Sequence, residues 1–405
     1  MTDIMQTEKK SKLVIGLFGF GVVGQGLYKV LQDVQTADAT IKSICVKQKN
    51  KPRAVDSVMI KYDPDELLQD PEVNLIVELI DDADAAYEIV KTALLNGKSV
   101  VSGNKNMLAH HLKELIEIQR NTNVALLYDA SACGSIPVIR NLEEYYDNDL
   151  LQSITGILNG SSNFILTKIF QQGWTYQKAL KNAQELGFAE SNPSFDVDGF
   201  DSMFKLIILA LHGFGTLVDP EEVFHYGISN VSDHDILYAR EKSKKIKLVA
   251  QVSKVNGKKF TMFVLPKLVS ADEYIYNVEE EYNGVIIEGQ FYDKQFMFGK
   301  GAGAFPTGSA VLSDITARKH NYRYEYKKLN FFASPLYTRD ITIEVYLRYH
   351  DLVDLSHFDF ESISEKYTGP EYNYVIGRLK LDNLHKLKTL IRKLNVFIAW
   401  TGKIN

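Results

Sequence analysis

Residues 12–28 read KLVIGLFGFGVVGQGLY, in which an apolar run leads directly into Gly19-x-Gly21-x-x-Gly24 and then into a helical pattern. Glycines at this spacing allow a tight turn from strand to helix, a close approach of a pyrophosphate, and close packing of the helix on the strand. The N-terminus of the helix adds unpaired N–H groups and a positive dipole end. The stretch therefore predicts a dinucleotide site, with a structural glycine turn as the alternative. The contacts expected from the turn come from Gly19, Phe20, Gly21, Val22, Val23 and Gly24.

Strand and helix patterns alternate from residue 12 to about residue 130. This alternation predicts an α/β fold with a Rossmann-type, doubly wound parallel sheet, in which ligands bind at the carboxyl ends of the strands. The predicted strands are Lys12–Phe18, Ile41–Val46, Leu75–Leu79, Ser99–Ser102 and Val124–Asp129, and the predicted helices are Gly24–Gln35 and Asp84–Asn96.

A cluster of cations follows the second predicted strand and bears on the choice of cofactor. NAD-specific sites usually place an Asp or Glu there, about 20 residues past the glycines, to bind the ribose 2′-OH. This chain has Val46 and Lys47 instead, followed by Lys49, Lys51 and Arg53. Cations suit a 2′-phosphate, so we expect NADP(H) to be preferred, with Lys47 in contact, and NAD(H) to be the alternative. For Lys49 and Lys51 a solvated basic loop is nearly as good an interpretation.

The composition limits the classes of function. A chain of 405 residues with 45% hydrophobic and 24% charged residues predicts a globular protein of two or three domains. The net charge of −5 gives no general attraction to nucleic acid or anionic membranes, so we expect a small-molecule substrate. The polar N-terminus and the lack of a long apolar stretch favour a cytoplasmic protein. Two cysteines, Cys45 and Cys133, exclude a disulfide scaffold.

Residues 187–201 are rich in carboxylates and lead into an apolar helix predicted over residues 202–211. The spacing does not match an EF-hand calcium loop. Asp201 and Lys205 are four residues apart, so they share one helix face, which is otherwise apolar. A partly buried lysine among carboxylates is a candidate for proton transfer or substrate anchoring, and an ordinary helix salt bridge is an equally good interpretation.

Residues 298–311, FGKGAGAFPTGSAV, form a second glycine-rich stretch before a helical pattern. Because ordered glycine costs conformational entropy, this stretch predicts either close approach to a cofactor, through Gly301 and Gly303, or a hinge.

The last block, residues 341–405, alternates between strand and helix patterns. It predicts a strand, a helix over residues 359–367, a second strand, a helix over residues 385–395 and a final strand over residues 396–400. This pattern is typical of a small α+β module with a role in regulation or assembly.

Several motifs follow one another in order from about residue 12 to residue 320. They are GLFGFGVVGQGLY, VELIDDADAA, VVSGNKNMLA, YDASACGSIPVIRNL, ITGILNGSSNFILTK, AQELGFAESNPSFDVDGFDSMFKL and GKGAGAFPTGSAV. On these motifs, and not on the glycine turn alone, the chain resembles the homoserine dehydrogenase family. That resemblance implies a nicotinamide-dependent oxidoreductase that interconverts aspartate 4-semialdehyde and homoserine.

The resemblance assigns catalytic roles to Lys105, Lys205 and Asp201, and a place beside the cofactor to Asn104 and Lys105. Further residues are implied in substrate binding: Glu190 and Asp196, which would hold the ammonium group, and the turn of Asn159, Gly160 and Ser161.

The resemblance also implies a monovalent cation, usually sodium, near one loop. The implied ligands are the carboxylate of Asp129 and the backbone carbonyls of Ala132, Gly134 and Ile136. The chain departs from the family pattern in this loop, where Cys133 and Ser135 replace glycines. It departs again after the predicted strand Leu75–Leu79, where Asp81 and Asp82 replace glycines.

The expected domains are a dinucleotide-binding domain over residues 1–132 with a returning helix near 305–325, a substrate-binding and dimerisation domain over 133–304, and an ACT-like module over 335–405. We expect a homodimer or a homotetramer. A non-catalytic nucleotide-sensing or assembly protein on the same fold is the rival interpretation. Such a protein would be expected to lose one of the implied catalytic residues, and the chain keeps them all.

Overall fold

The computed structural model describes residues 12–34, 37–256, 258–331 and 334–404. The chain divides into a first unit, Met1–Pro137 with Ala302–Glu325, and a second unit, Val138–Gly301 with Tyr326–Asn405. The strands are β1 Leu13–Phe18, β2 Ala39–Cys45, β3 Ile60–Lys61, β4 Leu75–Glu78, β5 Ser99–Ser102, β6 Leu126–Leu127, β7 Leu151–Ile157, β8 Phe224–His225, β9 Lys244–Val255, β10 Lys259–Ser270, β11 Tyr282–Gly289, β12 Asp293–Lys300, β13 Leu336–Tyr337, β14 Thr342–Tyr349, β15 Phe360–Thr368, β16 Asn373–Lys380 and β17 Phe397–Ile404. The α-helices are α1 Val22–Asp33, α2 Asp65–Leu68, α3 Ala83–Leu95, α4 Lys105–Thr122, α5 Val138–Glu144, α6 Gly160–Gln172, α7 Tyr176–Glu185, α8 Ser194–Val197, α9 Phe200–Phe214, α10 Asp233–Glu241, α11 Ala304–Lys319, α12 Leu352–Ser356, α13 Leu381–Lys386 and α14 Lys388–Ile391.

The first unit contains a six-stranded sheet in the order β3-β2-β1-β4-β5-β6, with every pairing parallel. Strands β2 and β3 are added on one side of β1, and β4 to β6 are added on the other. The topological switch point therefore lies between β1 and β4, where a doubly wound sheet binds its ligand. The predicted Rossmann-type fold is therefore confirmed. Residues such as Ile15 and Leu17 are fully buried in β1, as expected for a strand covered by helices on both faces.

The element boundaries in this unit lie close to the predicted ones, with one exception. The strand predicted over residues 124–129 is reduced to the two residues of β6, and a 3-10 turn, Asp129–Ser131, begins two residues after its end. Gln35, the predicted end of the first helix, lies outside the described residues. The helix returning from the late glycine-rich stretch is α11, which packs against α1.

The second unit is built on an eleven-stranded mixed sheet, whose main path runs β12-β11-β7-β9-β10-β17-β14-β16-β15. The long helix α9 is buried along its length and packs on β7, β9 and β10. The last strands of the chain continue this sheet, since Trp400 of β17 pairs with Lys267 of β10. The separate module expected over residues 335–405 thus shares one sheet and one unit with residues 138–301.

The helix predicted over residues 359–367 is wrong. These residues lie in β15, an edge strand that pairs antiparallel with β16 from Phe360 opposite Leu379 to Thr368 opposite Asn373. The partner strand supplies backbone hydrogen bonds that outweigh the weak helical preference of a polar segment. The helix predicted over residues 385–395 is also shorter, divided between α13 and α14.

Within the described residues, no helix is both long enough and apolar enough to span a membrane.

Candidate active site

The turn from β1 to α1 keeps space open beside its backbone. Gly19 has φ of +90°, and a Cβ there would lie 2.5 Å from the carbonyl oxygen of Leu79. A Cβ at Gly24 would lie 2.4 Å from the carbonyl oxygen of Gly19. A Cβ at Gly21, in contrast, would have no described heavy atom within 4 Å. Gly19 and Gly24 are therefore required by packing, whereas Gly21 leaves room for a ligand.

The helix that follows this turn has no side-chain cap. Gly21 is the N-cap residue of α1, so no side chain hydrogen-bonds to the N–H groups of the first turn there. Phe20 is buried, Val23 is half-buried and Val22 is exposed. Uncapped N–H groups and an open glycine are the features that a pyrophosphate needs at a helix N-terminus. The residues present thus fit a dinucleotide.

Lys47, two residues after the end of β2, forms an ion pair with Asp82, with 2.9 Å between Nζ and Oδ2. Both side chains are at least half exposed. Asp82 is also the N-cap of α3, where its Oδ1 accepts the backbone N–H of Ala85 at 3.1 Å. This backbone hydrogen bond, together with Lys47, lowers the pKa of the Asp82 carboxyl.

A buried carboxylate lies behind the predicted Asn104–Lys105 pair. Glu78, at the end of β4, is fully buried, accepts the hydroxyl of Ser102 at 2.5 Å and accepts the backbone N–H of Ile80 at 2.7 Å. The Ser102 oxygen in turn accepts the backbone N–H of Asn104 at 3.1 Å. Burial raises the pKa of Glu78 to about 7. Sequence reasoning missed Glu78, although a lone acid in the apolar run Leu75–Glu78 was an available signal.

Asn104 is the N-cap residue of α4 and directly precedes Lys105. Its Oδ1 accepts the backbone N–H of Met107 at 2.9 Å, and its Nδ2 donates to the carbonyl of Ile80 at 3.1 Å. Both the oxygen and the nitrogen of the Asn104 amide therefore form hydrogen bonds to the backbone. Lys105 is the first residue of α4 and is half-buried.

The predicted cation loop lies in residues 129–136 of the first unit. Asp129 is buried, and its backbone N–H donates to Asp314 Oδ2 at 2.9 Å. The carbonyl of Ala132 accepts the N–H of Gly134 at 2.9 Å. Gly134 has φ of +53°, and Ile136 is buried. A search of the described residues finds no group of three or more His, Cys, Asp or Glu side chains able to hold a metal ion.

The ion pair predicted on the apolar helix of the second unit is buried. Lys205 Nζ lies 2.8 Å from Asp201 Oδ2 on α9, and the two residues are 7% and 4% exposed. Lys205 also donates to the backbone carbonyl of Leu158 at 2.7 Å. A buried pair with a further hydrogen bond holds its lysine in a fixed geometry, unlike a solvated helix pair.

Asn159 connects this pair to the loop before the helix. Its Nδ2 donates to Asp201 Oδ2 at 3.0 Å and to Asp196 Oδ1 at 2.7 Å. Its Oδ1 caps α6 by accepting the N–H of Ser162 at 2.8 Å. One amide therefore holds two carboxylates near a lysine, in an arrangement suited to a substrate that carries a cationic group.

The rest of the predicted substrate turn is held by its neighbours. A Cβ at Gly160 would lie 2.6 Å from the carbonyl oxygen of Glu281, so this position needs glycine. Ser161 donates its hydroxyl to the carbonyl of Phe188. Glu190 has an exposed side chain, and its backbone carbonyl accepts Gln184 Nε2 at 2.9 Å.

Two contributors near Lys205 escaped the sequence analysis. The first is the carbonyl of Leu158, and the second is Asn283 on β11, which is fully buried and donates its Nδ2 to the same carbonyl at 2.9 Å. Asn283 also explains Gly301, because a Cβ there would lie 2.1 Å from the Asn283 amide nitrogen. Gly303, with φ of +124°, is the N-cap of α11 in the first unit. Backbone carbonyls and sheet partners leave no local pattern in a sequence.

Comparisons with known proteins agree along the chain. A family model described as the NAD binding domain of homoserine dehydrogenase matches residues 19–129, and one described as homoserine dehydrogenase matches residues 137–316. The curated homoserine dehydrogenase of Bacillus subtilis is 34% identical over 351 residues, which cover 83% of this chain and 81% of that protein. The Synechocystis enzyme is 37% identical over 311 residues, or 74% of this chain and 72% of that protein.

Solved structures extend the likeness to the C-terminal strands. The homoserine dehydrogenase of Thiobacillus denitrificans has a TM-score of 0.81 at 29% identity and covers 97% of both chains. A hyperthermophilic archaeal homoserine dehydrogenase in complex with NADPH has a TM-score of 0.68 at 27% identity, covering 78% of this chain and 99% of that one. On the site geometry and these matches together, the chain belongs to the homoserine dehydrogenase family, as an oxidoreductase with a nicotinamide-binding domain.

Proposed function

We propose that Lys205 is the acid–base group in the interconversion of aspartate 4-semialdehyde and homoserine. The observation that carries this proposal is the buried Asp201–Lys205 pair, whose lysine also donates to the carbonyl of Leu158. An ammonium group has three N–H donors. Among the described residues, Asp201 and Leu158 take two of them, which leaves the third for an oxygen of the substrate.

In the direction of reduction, the bound cofactor supplies a hydride to the carbonyl carbon. Lys205, protonated, stabilises the developing alkoxide and then gives it a proton. In the direction of oxidation, neutral Lys205 takes the hydroxyl proton of homoserine. Asp201 favours the charged lysine and orients it, while Lys105 polarises the reacting oxygen on the nicotinamide side.

The amino acid end of the substrate carries an ammonium group that needs anionic partners. We assign this role to Asp196 and Glu190. Asp196 has one oxygen bound to Asn159, at 2.7 Å, and this bond supports its position. Glu190 has an exposed side chain that is open to a ligand. Asn159, Gly160 and Ser161 form the turn that lines the same pocket.

The cofactor of choice is NADP(H), with NAD(H) as the alternative, and Lys47 is the residue that favours it. Residues 19–24 would hold the pyrophosphate of the bound cofactor, and its further contacts would come from Asn104, Lys105, Gly301 and Gly303. We also propose the domain limits predicted from the sequence, a homodimer or homotetramer, and a cytoplasmic location.

A sodium ion is proposed at the loop of residues 129–136. The buried carboxylate of Asp129 supplies the charge, and the carbonyls of Ala132, Gly134 and Ile136 supply neutral oxygens, the donor set that suits a hard cation. Replacing Na⁺ in the buffer by K⁺ or choline, at constant ionic strength, is expected to lower activity if this site is occupied. Equal activity in all three salts would contradict the proposed sodium site.

The acid–base assignment is tested by comparing Lys205→Ala with Lys105→Ala in steady-state oxidation of homoserine, followed by reduction of NADP⁺ and NAD⁺. Loss of the Lys205 amine is expected to lower kcat by about 10²–10⁴, the usual contribution of an acid–base group. Lys181→Ala is the control for the loss of a surface lysine, because the side chain of Lys181 on α7 is exposed. Turnover retained in Lys205→Ala would contradict the assignment, and no activity of the unmodified enzyme with either cofactor would contradict the function.

A further inference from the structure

Lys47 and Asp82, which form an ion pair, lie on opposite sides of the nucleotide turn. Lys47 follows β2 and Asp82 follows β4, and these two strands are the neighbours of β1, whose carboxyl end leads into Gly19. A contact of 2.9 Å between their side chains therefore spans the carboxyl edge of β1. This is the edge at which a doubly wound sheet binds the adenosine half of a dinucleotide.

The two partners differ in mobility. Asp82 is fixed from its own side, because its second oxygen caps α3 through the N–H of Ala85. Lys47 has a flexible four-carbon side chain that is 76% exposed. When a ligand enters, the carboxylate stays in place and the ammonium is free to change partners.

Lys49 and Arg53 in the same loop have different surroundings. Lys49 lies over the ring of Tyr62, with Nζ 5.4 Å from the ring centroid. Arg53 donates to the backbone carbonyl of Lys51 at 2.8 Å. Lys47, in contrast, is paired with a fixed carboxylate at the cofactor edge.

We infer that Asp82 is a specificity-determining residue, whose carboxylate competes with the 2′-phosphate of NADP(H) for Lys47. This inference rests on the proposed cofactor site. A fixed negative charge opposes a phosphate dianion, whereas it leaves the neutral ribose 2′-OH of NAD(H) unopposed and offers that hydroxyl an acceptor. Lys47 favours NADP(H) and Asp82 favours NAD(H), so the pair gives an enzyme that uses both cofactors with a small preference.

The inference predicts the effect of Asp82→Asn on cofactor binding, measured by calorimetric titration of the full chain with NADPH, NADH and adenosine 2′,5′-bisphosphate. The Kd values of NADPH and the bisphosphate are expected to fall about threefold to tenfold, as for one unit charge removed a few ångströms away in a solvated site. The Kd of NADH is expected to stay constant or rise. In a Lys47→Gln background most of the gain is expected to disappear.

Asp84→Asn is the matched control, since it removes the same charge in the first turn of the same helix. We expect it to change the Kd values of NADPH and NADH by the same small factor. If Asp82→Asn changes the Kd values of NADPH and NADH by the same factor, or changes neither, the inference is overturned. The proposed function does not depend on that result. Failure of the unmodified chain to bind either dinucleotide would overturn both.

Discussion

Each unit of the molecule holds one lysine–carboxylate pair at a candidate ligand site, and the two pairs have nearly equal distances, 2.9 Å for Lys47–Asp82 and 2.8 Å for Asp201–Lys205. They differ in burial, because the first pair is at least half exposed and the second is less than a tenth exposed. In the first unit the lysine exchanges one partner for another at little cost. In the second unit neither charge has water to replace its partner.

Burial therefore assigns the two pairs to different tasks. An exposed pair adjusts a preference between ligands, since its contribution is small and reversible. A buried pair fixes a reacting group in place and is expensive to break. The predictions below test this contrast, beginning with the buried pair.

The largest effect is expected from Asp201→Ala. This change leaves the ammonium of Lys205 buried without its carboxylate, and breaking a buried pair in this way usually costs about 3–5 kcal/mol in free energy of unfolding. Turnover is expected to fall by about 10²–10⁴ because the lysine loses its orientation. Urea denaturation, followed by the fluorescence of Trp174 and Trp400 in the second unit, measures the loss of stability. Steady-state kinetics measures the fall in turnover.

The variant Asp201→Glu separates orientation from charge, because it keeps the negative group and lengthens the side chain. Stability is expected to recover more than kcat. If Asp201→Ala unfolds at the same urea concentration as the unmodified chain, the pair is not buried in solution and the contrast between the units fails.

The nucleotide turn gives the next effects. Gly19→Ala places a Cβ at a position with φ of +90° and 2.5 Å from a carbonyl oxygen, so the first unit is expected to lose about 2–5 kcal/mol of stability. Gly21→Ala meets no described atom within 4 Å and has φ of −79°, so stability is expected to be nearly unchanged. Its added methyl group occupies ligand space, and the Kd of NADPH and of NADH is expected to rise about tenfold, or ~1.4 kcal/mol.

Hydrogen exchange of amides in β1 measures stability in these glycine variants, and calorimetric titration measures the Kd values. A Gly21→Ala protein that binds both dinucleotides as tightly as the unmodified chain would show that the open space at this turn is not where the pyrophosphate lies.

A smaller effect concerns pH. The ordinary pKa of a glutamate carboxyl is 4.5, and burial in the fold favours the neutral form of Glu78 and raises its pKa to about 7. Between these values the folded state binds more protons than the unfolded state, so this group's contribution to stability falls as pH rises from 4.5 to 7 and is constant above. The difference is worth up to about 3 kcal/mol. Glu78→Gln removes the titration.

Hydrogen exchange of β4 and β5, compared between the unmodified chain and Glu78→Gln at pH 5 and pH 8, measures this effect. We expect the unmodified chain to lose protection relative to the variant at pH 8. An equal ratio of protection at the two pH values would mean that Glu78 keeps one protonation state across this range.

The fold of the first unit follows from local sequence patterns. The glycine turn and the apolar runs mark the bounds of single elements directly, so β1 and β5 end at or near their predicted residues. In the second unit the elements that differ from the prediction depend on the strand that lies beside them, which the pattern within a single segment does not show. Residues 359–367 form an edge strand because β16 lies beside them, and the strands after residue 335 join the larger sheet through Lys267 opposite Trp400.

The same distinction applies to the sites. Asp201 and Lys205 were predicted as a pair because helical spacing places them on one face. The carbonyl of Leu158, the amide of Asn283 and the hydroxyl of Ser102 contribute through contacts between distant segments, which no local pattern encodes. Glu190, which the motif placed at the substrate, has an exposed side chain, since a motif gives a position in the chain but no side-chain conformation.

The smallest effect provides the control for the whole comparison. Lys181 and Glu185 on α7 have the same four-residue spacing as Lys205 and Asp201 in the reverse order, but they are 3.9 Å apart and 77% and 60% exposed. Glu185→Ala is expected to change the free energy of unfolding by less than about 0.5 kcal/mol and to leave kcat unchanged, because solvent replaces the lost partner. The measurement is urea denaturation beside Asp201→Ala under identical conditions. A cost comparable to that of Asp201→Ala would mean that spacing on the helix, and not burial, determines what these pairs contribute.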